Sequence, residues 1–130
     1  MITYRDDLRP APEVIAALYL AARLERPNAD LDRIARMYAS ANLVLTVWDG
    51  EILVGILRAL SDGAFVGYIA DLAVHPDYQR AGIGRTLLQQ AIASNTEVQF
   101  VLRAAPTAAA YYRHIGWQDV ANGWVWPRER

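Results

Sequence analysis

Two Asp-Gly pairs divide the middle of the chain into strands. Asp49-Gly50 and Asp62-Gly63 separate three apolar runs rich in branched residues: Leu43 to Trp48, Ile52 to Leu60 and Phe65 to Val74. Asp-Gly is a hairpin signal because tight mirror-image turns place their central residues at positive φ, which these residue types tolerate. Three such runs in succession predict an antiparallel meander. The period then changes. His75-Pro76-Asp77 breaks the third strand, and Ile83, Leu87, Leu88, Ala91 and Ile92 recur at helical spacing between Gly82 and Ser94. Val98 to Arg103 reads as strand again. Strand, helix and strand make a crossover whose two strands run parallel. The expectation is a mixed α/β chain with a mostly antiparallel sheet.

The flanks add shorter elements. Ile2 to Tyr4 reads as an edge strand. Pro12 suits a first helical turn, and Val14, Ile15, Leu18 and Ala22 follow at helical spacing to about Arg26, before Pro27. Asp30 is placed to cap a second helix carrying Leu31, Ile34, Ala35 and Tyr38. Pro106 opens a short helix through His114, ended by Gly116. Trp117 to Val120 and Gly123 to Trp126 read as a last hairpin around Asn122-Gly123.

Composition removes several chemistries. The 130 residues suit one domain, 1–130, and their apolar fraction of 54% can fill a core. There is no cysteine, so disulfides, thiolate metal sites and a cysteine nucleophile are excluded. Two histidines without cysteine give a catalytic zinc little support, and no metal is expected. All 13 basic residues are arginine; a Walker A loop needs a lysine, so a P-loop nucleotidase is excluded. A net charge of -1 gives no general attraction to nucleic acid. No apolar run approaches the ~20 residues of a membrane helix. The first ten residues, MITYRDDLRP, carry charge where a secretory signal needs an apolar core. The expected setting is therefore cytoplasmic, with no membrane partner.

The sharpest local motif is Gln79-Arg80-Ala81-Gly82-Ile83-Gly84-Arg85, lying between strand and helix. Helix first turns have unpaired backbone N–H groups at the positive end of the macrodipole, and these bind phosphate. Gly82 and Gly84 let an anion approach the backbone, and Arg80 and Arg85 can pair with phosphate oxygens. A glycine-containing turn with solvated arginines is the plainer alternative. A Rossmann turn needs a third glycine, but position 87 is leucine.

The stretch YIADLAVHPDYQRAGIGRTLLQQAI resembles the acetyl-CoA-binding motif of the GNAT N-acetyltransferases, with Gln79, Gly82 and Gly84 at its signature positions and Leu72-Ala73-Val74 before them. The later AAAYYRHIGW resembles the family's second motif. The resemblance implies a GNAT-like acyl-CoA N-acyltransferase fold, with splayed central strands flanked by helices. It also implies acetyl-CoA as cosubstrate and direct transfer of acetyl to a primary amine of a small molecule or peptide. Residues 72–74 and 79–85 (Leu72, Ala73, Val74; Gln79, Arg80, Ala81, Gly82, Ile83, Gly84, Arg85) would bind the cofactor, with a backbone N–H of the former group facing the thioester oxygen. Thr107 stands where the family usually has an asparagine that touches the cofactor. Tyr112, four residues before Gly116, matches the tyrosine that protonates the leaving sulfur, and Tyr111 beside it is expected to pack.

Asp71 is the carboxylate best placed to accept the amine's proton; a hydrogen-bonded structural role for it, or a water chain as base, stays open. A non-catalytic acyl-CoA-binding module would keep the turn without needing Tyr112. Trp117, Trp124 and Trp126 are expected under the helices, with a homodimer contact or an acceptor-pocket wall as the other readings.

Overall fold

The meander forms where the turns put it. In a computed structural model, which describes all 130 residues, one sheet carries five strands in sequence order: β1 (Ile2–Arg5), β2 (Leu43–Asp49), β3 (Ile52–Ser61), β4 (Val66–Val74) and β5 (Gln99–Leu102). Strands β1 to β4 are antiparallel, and β5 joins β4 in parallel. Gly50 and Gly63 take φ of +60° and +73°, as their turns require.

Alternation sorts the sheet residues onto two faces. Val44, Ile56 and Ala73 pack with Ile15, Leu18 and Tyr19 of α1 (Pro12–Ala21) and Ile34 and Tyr38 of α2 (Leu31–Ala39). Leu45, Leu57 and Ile69 pack against Ile83, Leu87, Leu88 and Ala91 of α3 (Ile83–Ser94) on the other face. Asp30 caps α2, its side chain accepting from the Arg33 N–H. No helix is long and apolar enough to cross a membrane.

Two irregularities in β4 position the site. Arg58 pairs with Asp71 but Ala59 with Ile69, so Ala70 is an extra residue in the ladder. Such a bulge reverses the side-chain alternation. Ile69 accordingly faces α3, while Asp71 and Ala73 face α1 and α2. The second irregularity is at the β5 edge. Pairing covers only Val66 to Ile69 against Gln99 to Leu102, and β4 continues alone to Val74. The two strands therefore part where the bulge sits.

The flanks depart from the sequence reading in three places. Helix α1 stops at Ala21, and Arg23 takes φ of +58°, before Pro27 can act as the terminator. The helix expected from Pro106 begins as a 3-10 turn, Pro106–Ala108, followed by α4 (Ala109–His114). The last hairpin does not form: residues 117–126 contain no strand. Apolar residues there do not alternate with polar ones, and an isolated two-stranded hairpin without a buried face is marginal. Only Trp117 reaches the core side; Trp124 and Trp126 are each 96% exposed.

Candidate active site

The glycine-rich turn holds a row of unused donors. Between β4 and α3 the chain makes a 3-10 turn, Pro76–Tyr78, capped by the His75 imidazole, whose Nδ1 accepts from the Asp77 N–H. Tyr78 fixes the far end of that turn by donating its hydroxyl to Asp49 on β2. From there Arg80 and Gly82 take left-handed φ of +68° and +78°. A non-glycine residue there is strained by about 1–3 kcal/mol, a cost that marks binding turns. Left-handed residues between ordinary ones turn successive N–H groups toward one point, as in anion-binding nests. The N–H groups of Arg80, Ala81, Gly82, Ile83, Gly84 and Arg85 find no acceptor within the protein. Gly82, as the cap residue of α3, has no side chain to supply one.

These donors open on a cleft of about 660 Å³. Its walls include Leu72 and Val74 from β4, Gln79 to Arg85 except Ala81, and Tyr78, Ala108, Tyr111, His114 and Ile115. A Cβ at Gly82 would meet nothing within 4 Å, and one at Gly84 only the Val74 side chain at 3.8 Å. The space over the nest is thus free for a phosphate-sized group.

The β4 edge supplies further groups. The His75 N–H donates to the Val54 carbonyl at 2.8 Å. Antiparallel alternation then makes Ala73 and Asp71 the residues bonded to β3, and it turns the N–H and C=O of Leu72 and Val74 to the side that β5 has vacated. The Gln79 side chain takes one of these, donating to the Val74 carbonyl at 3.1 Å. An extended amide-bearing chain could pair with the rest.

The two tyrosines of α4 are arranged differently from the sequence expectation. Tyr111, expected to pack, lines the cleft with Ala108 and Ile115, which share its helix face. Tyr112 lies one ring away from it. It packs edge-to-face with Tyr111 at 5.6 Å and with Trp117 at 6.0 Å, against the α3-side core. Burial, with a smaller contribution from Tyr111, raises the Tyr112 phenol above its ordinary pKa. Thr107 is exposed and does not line the cleft; its neighbour Ala108 does.

Asp71 lies on the opposite face of β4. Its side chain is fully buried and accepts from Tyr19 Oη at 2.9 Å, Arg26 Nε and Arg58 Nε. Tyr19 in turn meets the Tyr38 hydroxyl. A carboxylate held by two guanidiniums and a phenol is a structural anchor in form, the alternative that the sequence left open. Sequence reasoning missed this cluster because its members are 13 to 52 positions from Asp71. It also missed Tyr78 and His114 in the cleft. The spacing of positions 108, 111 and 115 was the available signal for the α4 face. No group of three or more His, Asp or Glu side chains is placed to hold a metal.

Known proteins share this fold. A family model described as an acetyltransferase (GNAT) domain matches residues 22–124. An uncharacterized N-acetyltransferase, ycf52, of Gracilaria tenuistipitata var. liui is 31% identical over 102 residues, covering 72% of this chain and 54% of that protein. The ycf52 protein of Porphyra purpurea is 34% identical over 80 residues, covering 57% and 46%. The chain thus spans about half the length of the curated relatives it matches. Among solved structures, a GNAT family acetyltransferase of Streptococcus pneumoniae superposes over 100% of both chains with a TM-score of 0.79 and 25% identity. A probable acetyltransferase of Staphylococcus aureus covers 98% of this chain and 99% of its own, with a TM-score of 0.81 and 23% identity.

Proposed function

The chain belongs to the GNAT acetyltransferase family, and from that premise we propose that it moves an acetyl group from acetyl-CoA to a primary amine. The observation that carries this reading is the row of six unpaired N–H groups from Arg80 to Arg85, opening on a cleft beside the parted strands. Acetyl-CoA, when bound, supplies an acyl group activated as a thioester. The nest holds its diphosphate, helped by the Arg80 and Arg85 guanidiniums. The free edge of β4 at Leu72 and Val74 pairs with its pantetheine arm, and one of those N–H groups stabilises negative charge on the carbonyl oxygen during attack.

Direct transfer forms a bond from the amine nitrogen to the carbonyl carbon and breaks the carbon–sulfur bond. The amine loses one proton and the departing thiolate gains one. In this account Tyr112 donates to the thiolate, on its match to the family motif. A phenol carries its proton at neutral pH, and catalytic contacts often close only around the substrate. Tyr111 forms the cleft wall along the arm. The amine's proton leaves through water, since Asp71 is occupied by its own partners. Residues 1–130 act as one acetyltransferase domain in this reading.

The test is thiol release from acetyl-CoA across a panel of primary amines, alongside calorimetric titration with CoA. Saturable binding with turnover of at least one amine supports the enzyme. Binding without turnover on any amine makes the chain a carrier or sensor of acyl-CoA.

A further inference from the structure

A second pocket lies on the α1–α2 face of the sheet, behind the same gap. It encloses about 430 Å³. Five arginines line it: Arg26, Arg33, Arg58, Arg128 and Arg130, with Glu25 the only acidic wall residue. Counting Asp71 at its base and the α-carboxylate that Arg130 carries, three carboxylates face five guanidiniums, an excess of two positive charges in a chain whose net charge is -1. Arg26 and Arg58 are committed to Asp71. The outer three are not. Of Arg33's donors one is engaged, by a carboxylate oxygen of Arg130 at 2.7 Å, and no side-chain hydrogen bond engages Arg128. Gathered cations of this kind repel one another unless an anion joins them.

The pocket's position gives the anion a role. Arg26 Nη2 donates to the Ala70 carbonyl at 2.8 Å, at the bulge where β5 leaves β4. Leu72, two residues on, lines the cofactor cleft from the other face. At about 3.3 Å per residue Ala70 and Leu72 are roughly 7 Å apart along the strand, so the pocket and the cleft border the same short stretch of β4. A small acceptor held at the arginines would sit beside the stretch of β4 whose far side lines the cofactor cleft. The volume suits a small ligand, and the charge excludes a polyamine.

Resting on the acetyl-transfer reading, we infer that the acceptor is a small primary amine carrying an anionic oxygen group, carboxylate or phosphate, held by Arg33 together with Arg128 or Arg130. A planar fork of donors recognises either group with two parallel hydrogen bonds.

The experiment compares thiol release for matched amines on the full chain at saturating acetyl-CoA: leucine against isopentylamine, and O-phosphoethanolamine against ethanolamine. In parallel, the arginine Nε–H resonances are followed by NMR during titration with succinate and with inorganic phosphate. The expected result is a kcat/KM ratio of about tenfold or more for the charged member of at least one pair, with the larger ratio identifying carboxylate or phosphate. Arg33→Gln should shrink that ratio, chiefly through KM, and the Arg33 resonance should move with the matching anion. Equal or reversed ratios with normal turnover of the uncharged amines would overturn the inference and leave acetyl transfer standing. Anion-induced shifts at Arg33 without thiol release from any amine would overturn acetyl transfer, and the acceptor assignment with it.

Discussion

Gly84 separates the binding role of the turn from its structural role. Its φ is not left-handed and a Cβ there has room. An acidic side chain in a helix's first turn also suits the macrodipole. Gly84→Asp should therefore leave thermal stability unchanged or slightly raised while weakening CoA binding by about a hundredfold through repulsion of the diphosphate. Calorimetry and a melting curve on one preparation check both. Asp71 offers a second contrast. Asp71→Asn leaves Arg26 and Arg58 facing a neutral group inside the protein, and breaking such a cluster costs about 3–5 kcal/mol. A marked loss of stability in denaturant is the expected outcome; a stable variant with lost turnover would restore Asp71 as the base. For the α4 pair, Tyr112→Phe should lower kcat and leave CoA affinity near wild type, while Tyr111→Phe raises the acetyl-CoA KM. The reverse pattern would give the proton to Tyr111, which lines the cleft.

At the scale of elements, α1, α2 and β4 are joined by hydroxyls. Tyr19 and Tyr38 touch each other, and Tyr19 donates to Asp71. Burial first, then the neighbouring Tyr38 and Asp71, pushes the Tyr19 phenol well above its ordinary pKa; burial likewise raises Tyr38. A phenol whose folded-state pKa exceeds its unfolded value of about 10 stabilises the fold fully below that pH and loses the contribution above it. Urea midpoints should hold from pH 8 to about 10 and fall beyond, with a shallower fall in Tyr19→Phe. The elements themselves were largely legible. Asp-Gly turns, the Asp30 cap and the five apolar positions of α3 are local signals, and local signals survive in sequence. The Ala70 bulge was not legible from the residues, because register depends on the partner strand. The end of β5 pairing at Leu102 was implied only by family resemblance. The last hairpin failed because its turn signal, Asn122-Gly123, had no buried face to support it.

Across the whole molecule, one strand separates two electrostatically distinct mouths. On the α3 side, Leu72 and Val74 border a cleft lined by a turn with free N–H donors. On the α1–α2 side, Asp71 anchors a pocket of arginines. The bulge at Ala70 lets neighbouring residues of β4 border both, and β5 pairing ends beside it at Ile69. Of this arrangement the glycine-rich turn was readable, since its seven residues, Gln79 to Arg85, are consecutive. The arginine mouth was not, since residues from 25 to 130 come together only in the fold. The central claim is that main-chain donors at the start of α3 grip the diphosphate. Amide NMR during titration with CoA, and separately with pantetheine, which lacks the diphosphate, tests it most directly. The account expects the Arg80 to Arg85 amides to shift strongly with CoA and little with pantetheine. Saturable CoA binding that leaves those six amides unmoved would contradict it.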